Sequence, residues 1–378
     1  MNPTLFNSYL EVDLSVVADN YRSILSTLPE GTELIPVIKC NAYGIGALQV
    51  AHALNKVGGV KTFALAQIRE AVELREAGFT QQLIVMGGFP LHQIPAALEN
   101  DITLTVFRPE TAAAIDAEAA KQGKTANVQI KIETGLNRIG ARPGEELDAL
   151  ARALKNLPNI HVAGAFTHFL EGEIPESELA YKQLELYLGG VKQLEDAGIH
   201  IPKRHICNSG ASDWFKDAYL DAVRIGRRLY MDSRDHPLSP DAPGVVREAV
   251  SWRTSIINLR TVEVGETVGY DRIFTAQRPT TVATICIGYG DGLYEQFVKA
   301  GSPVLVNGES ACYIGICMDQ SFIDVTGIDC AIGDEVTIFG KSTGGAAISA
   351  QALAATVGHE GVYFTSLLSP RVERRYIK

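Results

Sequence analysis

The chain has 378 residues, 46% hydrophobic and 21% charged, a composition of folded globular protein and enough for two sizeable cores. Its 34 basic against 44 acidic residues leave a formal charge of −10, which argues against nucleic acid or an anionic membrane as partner, because such surfaces call for a basic excess. There is no apolar run of about 18 residues and no basic-then-apolar leader in Met1–Glu11, and the six cysteines show no CxxC spacing. The expectation is therefore a cytoplasmic protein with reduced thiols, without a membrane span, zinc or a disulfide framework.

In chain order, short apolar runs rich in β-branched residues alternate with amphipathic stretches. The runs are Leu34–Lys39, Thr62–Ala66, Leu83–Phe89 and Ile102–Phe107, then Val128–Glu133, His161–His168, His205–Cys207 and Ala222–Gly226. Helical periodicity marks Gln67–Ala77, Arg108–Lys121, Glu145–Lys155 and Glu176–Ala197. Eight strands alternating with helices suggest an α/β fold, a parallel sheet closed into a (β/α)8 barrel. The periodicity is equally compatible with an open doubly wound sheet; the count of eight favours closure. After Tyr230 the pattern changes. Asp232–Val246, rich in Pro, Asp and Ser, reads as a linker. Beyond it Ser251–Val264, Thr281–Tyr289, Pro303–Val306, Phe322–Val325 and Glu335–Phe339 read as strands, with one helix at Ala347–Val357. The expected domains are a barrel over 12–235 and a mostly β C-terminal domain over 236–378, with 1–11 a candidate to join it.

In a barrel the chemistry gathers at the carboxyl ends of the strands. Lys39 ends the first run. A lysine there loses hydration, which lowers its pKa and frees the amine; taken alone, it is more often a snorkelling strand-end residue. The fifth run brings Lys131, Glu133, Thr134 and Arg138, the sixth Thr167 and His168, the seventh Asn208 and Ser209, and the eighth Arg224, Gly226 and Arg227. Loops after the last two strands often hold phosphate, and Ser209 with the Gly226-Arg227 amides offers such a cradle. A phosphate-bearing cofactor beside a strand-end lysine is the chemistry this layout suggests.

Pro36-Val37-Ile38-Lys39-Cys40-Asn41-Ala42-Tyr43-Gly44 resembles the pyridoxal-phosphate lysine signature of the alanine racemase family. The resemblance continues through Lys131–Gly140, Thr167-His168-Phe169, Cys207-Asn208-Ser209, Val223–Gly226, Gly288–Gly292 and Cys317–Gln320, in order over nearly the whole chain. It implies a barrel that binds pyridoxal 5'-phosphate, followed by a β domain, in a homodimer with shared active sites acting on a small amino acid. Lys39 would carry the cofactor as a Schiff base and serve one face of Cα. Tyr270, from the partner subunit, would serve the other. His168 would bond that tyrosine, and Arg224 would face the pyridine nitrogen. Arg138 would bond the cofactor's phenolic oxygen, steadied by Lys131, a lysine that the family can carbamylate. Tyr43, Asn208, Ser209, Gly226 and Arg227 fall around the cofactor, most of them at its phosphate. Tyr289, Met318 and Asp319, with Arg138, fall on the substrate side.

The sequence departs from the family at the pocket mouth. Val362-Tyr363 stands where a Tyr-Glu pair is expected in the last strand, Gly315 where many members carry arginine, Glu295 near the place of another arginine, and Arg227 where a small or apolar residue is usual. Racemisation is the expected chemistry, with specificity broadened or shifted toward serine or a basic amino acid. Arg224 and Tyr270 weigh against a decarboxylase on the same plan. The C-terminal domain weighs against a non-catalytic cofactor carrier, and intact Lys39 and Tyr270 against a degenerate binding protein.

Overall fold

The computed structural model describes residues 5–232 and 244–378. Most of the expected linker, 233–243, lies outside the described residues. The chain divides into two units: residues 22–42 with 54–229, and the stretch through Tyr21 with 43–53 and 230 onward.

The first unit holds eight parallel strands, Glu33–Pro36, Thr62–Leu65, Gln82–Val85, Thr103–Val106, Ala126–Lys131, Ile160–Phe166, Arg204–His205 and Ala222–Ile225. Six form one ladder and two another. The ladders join at both edges: Val37 pairs with Ala64, and the Arg224 amide donates to the Cys207 carbonyl at 3.0 Å. That closes the barrel. Strands such as Thr62–Leu65, Thr103–Val106 and Ala222–Ile225 are buried at every position, as strands covered on both faces must be. The helices Ile68–Glu76, Pro109–Gln122, Glu145–Leu154 and Glu178–Asp196 bury one stripe each, such as Leu147, Leu150, Ala151 and Leu154.

The second unit is antiparallel apart from one pair. The long strand Val250–Val262 pairs along its length with Thr280–Ile285 and Glu335–Lys341. With Pro303–Val306, Glu309–Ile316 and Ser321–Asp324 these close a ring of six strands. Tyr9–Asp13 joins Val250–Val262 and carries Glu373–Ile377 in parallel at the edge. Two readings are corrected here. Val362 and Tyr363 lie on a helix, Gly361–Leu367, not in a last strand, and Ala347–Val357 divides into a two-residue strand, Ala347–Ile348, and a helix, Ala350–Ala355, capped by Ser349. Gly44 shows how tightly 43–53 packs in this unit: its φ is +85° and a Cβ there would lie 1.9 Å from the Thr365 carbonyl oxygen, so only glycine fits.

Candidate active site

Lys39 does not end the first strand, which stops at Pro36; it opens a left-handed turn. Cys40, Asn41, Ala42 and Tyr43 all have φ between 51° and 57°, and the Ala42 amide closes the turn on the Ile38 carbonyl at 2.9 Å. Left-handed residues with a Cβ cost about 1–2 kcal/mol each, so this turn persists only because its surroundings hold it. Such strain concentrates at functional positions. Here it aims one side chain, Lys39, into the barrel mouth.

A cavity of about 310 Å³ opens at that end. Lys39, Lys131, Arg138, Phe166 and His168 line it, with Gly87 and Gly88. Burial lowers the Lys39 pKa, and the positive charges of Arg138 and Arg224 lower it further against the pull of Cys40 and Glu70. Lys131, 2% exposed, is brought down to about 7 by burial and then by Arg224. Its Nζ donates to the Ile132 carbonyl at 3.1 Å and to Thr167 Oγ1 at 3.2 Å. Of the two amines Lys131 is locked into the wall, and Lys39 is half-buried at the cavity.

Arg224 organises the buried groups around His168. Its guanidinium is buried and hydrogen-bonded to neutral acceptors: the carbonyls of Thr167 (2.8 Å), His205 (2.9 Å) and Ile206 (3.2 Å), and the Nδ1 atoms of His205 (2.9 Å) and His168 (3.3 Å). Burial lowers its pKa to about 10, which still leaves it cationic at neutral pH. Guanidinium only donates, so both Nδ1 atoms must be lone-pair acceptors and both rings carry their proton on Nε2. That agrees with His205 Nε2 lying 3.2 Å from Gln129 Oε1. Burial, then the charge of Arg224, also drives the pKa values of His168 and His205 well below the usual range.

Near the seventh and eighth strands, the Gly226 amide donates to Ser209 Oγ at 3.0 Å. The expected cradle is altered accordingly: this amide orients the Ser209 hydroxyl, whose own hydrogen is left to donate. Arg227 pairs with Glu173 at 2.7 Å. Asn208 caps its own turn, accepting from the Ala211 amide at 3.0 Å. Arg138 makes no hydrogen bond among the described residues, so its fork of donors is open to a ligand. The structure adds groups that motif reading passed over: His205, Gln129, Phe166, Glu70 and Gly87. The second and third strand ends carry no polar residue that would flag them; a Cβ on Gly87 would lie 2.4 Å from the Ala66 carbonyl oxygen.

The remaining candidates belong to the β unit. Tyr43 packs on buried Tyr230, ring centroids 5.6 Å apart. Tyr270 begins a one-turn helix, Tyr270–Arg272, at the edge of a small apolar cluster that includes Val268, Phe274 and Phe322, and is 76% exposed. The turn Tyr289–Asp291 is bonded to the next loop: the Tyr289 amide meets the Cys317 carbonyl at 3.1 Å and the Gly290 amide the Met318 carbonyl at 2.8 Å. Tyr289, Met318 and Asp319 are exposed on these loops. Gly315 is not an open vacancy, because a Cβ there would lie 2.8 Å from Phe322 Cδ2. Glu295 pairs with Lys299 at 3.2 Å.

A parallel barrel with amines and guanidinium groups at the carboxyl ends of its strands, continued by an antiparallel β unit, defines a class of lysine-bearing barrel enzymes. The profile described as "Alanine racemase, N-terminal domain" matches residues 12–234, and that described as "Alanine racemase, C-terminal domain" matches 249–376. Alanine racemase 2 of Caldanaerobacter subterraneus subsp. tengcongensis is 35% identical over 97% of this chain and 94% of its own. Alanine racemase of Clostridium perfringens is 35% identical over 98% and 95%. Among solved structures, alanine racemase from Streptomyces coelicolor A3(2) superposes with a TM-score of 0.92 at 28% identity, covering 99% of both chains. That from Bacillus anthracis with bound L-Ala-P gives 0.90 at 30% identity, covering 100% and 96%. The chain belongs to the alanine racemase family and is, by that membership, an amino-acid racemase.

Proposed function

We propose that this chain interconverts L- and D-alanine with pyridoxal 5'-phosphate held at Lys39. The observation that carries the reading is the Lys39 amine, aimed by a left-handed turn into a cavity with Arg138, Lys131 and His168 and depressed in pKa. The residues present fit the group: a reactive amine for its aldehyde and a cationic wall of Lys131 and Arg138 at a cavity of about 310 Å³, with an oriented Ser209 hydroxyl after the seventh strand for its phosphate. When bound, the cofactor supplies an electron sink that acidifies the substrate Cα–H.

The rest is work for side chains. Lys39 Nζ holds or returns the proton on one face of Cα, and the phenol of Tyr270 of the partner subunit serves the other. His168 Nε2–H, fixed by Arg224, is the donor offered to that phenol. Arg224 presents a permanent cation where an acidic residue would protonate a ring nitrogen, which weakens the sink and restrains side reactions such as transamination. Arg138 binds an anionic oxygen. A neutral Lys131 amine is the form that carbamylation requires, and a carbamate there would place an anion beside the charges of Arg138 and Arg224.

The relatives are alanine racemases, and the geometry gives no support to a cationic substrate: Phe322 fills the space at Gly315, and Glu295 is offset by Lys299. The exposed Tyr270, Tyr289 and Met318 suit a homodimer with shared sites. Among the described residues no helix is long and apolar enough to cross a membrane, and all six cysteines are free; we assign the protein to the cytoplasm. The test is a racemisation panel of alanine, serine, lysine and arginine with the reconstituted protein. Alanine turnover should dominate; no turnover of alanine, or a basic amino acid preferred, would overturn the reading.

A further inference from the structure

We propose that Glu70 is a positioning residue for Lys39, its carboxylate clamping the ends of the first two barrel strands together; this rests on the reading of Lys39 as the cofactor-bearing base. One oxygen, Oε1, accepts the Cys40 amide, the first peptide after Lys39. The other, Oε2, accepts the amides of Ala66 at 2.9 Å and Gln67 at 3.0 Å. Ala66 lines the same cavity as Lys39 and is itself wedged against Gly87. A single side chain thus ties together both strand ends that flank the amine.

The clamp acts where the chain needs it. Between Lys39 and Tyr43 four residues stand in the left-handed region, closed internally by the Ala42 amide on Ile38. Rotation of the 39–40 peptide would let that turn relax and swing Nζ. A carboxylate receiving the Cys40 amide opposes that rotation, because releasing it leaves a charged acceptor without its donor. Glu70 is well placed to be rigid: it lies in the first turn of the helix Ile68–Glu76, where backbone amides and the helix dipole favour a negative charge. Lys39 has two positions to serve, one holding the cofactor and one reaching the Cα proton, and a misplacement of about 1 Å can cost on the order of a hundredfold in rate.

Glu70→Ala and Glu70→Gln in the full chain separate this from a purely structural role. Gln keeps the size and one acceptor but meets the remaining amides with its own NH₂. Hydrogen exchange is followed in the cofactor-free protein, and alanine kinetics in the holoenzyme. Exchange at residues 40–42 should rise about tenfold or more in Ala, and less in Gln, while Pro109–Gln122 and Glu178–Asp196 stay at wild-type rates. The kcat should fall about tenfold in Ala with KM within about threefold, and Gln should recover part of the loss. Unchanged exchange at 40–42 would overturn the clamp, as would unchanged kcat, or exchange accelerated uniformly across the barrel in both variants. Should Ala not fold, Gln alone decides on the same readouts. A wild-type protein inactive on alanine would sink the reading of Lys39 instead, and the exchange result would still decide the clamp.

Discussion

Lys131→Met should remove a pH dependence of stability that the wild type carries. The wild-type amine is buried, its side-chain hydrogen bonds going to a carbonyl and a hydroxyl, and burial brings its pKa down to about 7 from 10.5. The sign follows from proton counting. Between those two values the unfolded chain binds a proton that the folded chain has released, so stability rises with pH by about 1.4 kcal/mol per pH unit. The penalty is greatest below the folded value, about 5 kcal/mol in full, and vanishes above the unfolded one. Methionine has similar length and no charge. It forfeits two hydrogen bonds of about 1 kcal/mol each, a loss that does not vary with pH. The stability of wild type relative to Lys131→Met should therefore rise by about 2 kcal/mol from about pH 7 to 9. Urea unfolding of both cofactor-free proteins in carbonate-free buffer measures it, and other titrations cancel in the difference. A gap constant to within about 0.5 kcal/mol would refute a depressed Lys131.

His168 should remain neutral, with its proton on Nε2, through the pH range where an ordinary imidazole takes up its proton, read from its ring ¹⁵N shifts; an imidazolium forming near the ordinary pKa of about 6.5 would show that burial and Arg224 do not hold the ring neutral. Tyr270→Phe should lower kcat by about 10²–10⁴ while leaving the melting temperature unchanged, because the side chain is mostly exposed. Gly44→Ala should destabilise the β unit by about 3 kcal/mol or more, since the new methyl meets a backbone carbonyl at a positive φ; calorimetry reads the loss.

The barrel was legible because its strands are short apolar runs, most of them flanked by an amphipathic helix, and all eight runs lie within a few residues of the observed strands. The β unit was less legible. Glu309–Ile316 alternates weakly, and Tyr9–Asp13 and Glu373–Ile377 are strands only because they pair with each other and with Val250–Val262 across the chain. Such non-local pairing leaves no local signal. Gly361–Leu367, rich in β-branched and aromatic residues, invited a strand reading, yet it caps onto the β unit as a helix. At the site, Lys39, Arg138, His168 and Arg224 were all reachable from strand-end position and motif. The left-handed turn was not, because Cys40, Ala42 and Tyr43 are residues that rarely adopt it. Nor was the tautomer logic of His205, which exists only once a guanidinium from another strand reaches it.

Two amines line the cavity, Lys39 and Lys131, and both are depressed in pKa. Borohydride reduction of the protein reconstituted with pyridoxal phosphate, followed by peptide mapping, shows which one bears the cofactor. The account predicts the phosphopyridoxyl group on the peptide containing Lys39, and no racemisation of alanine by Lys39→Ala. A label on Lys131, or a Lys39→Ala protein that still racemises alanine, would contradict it.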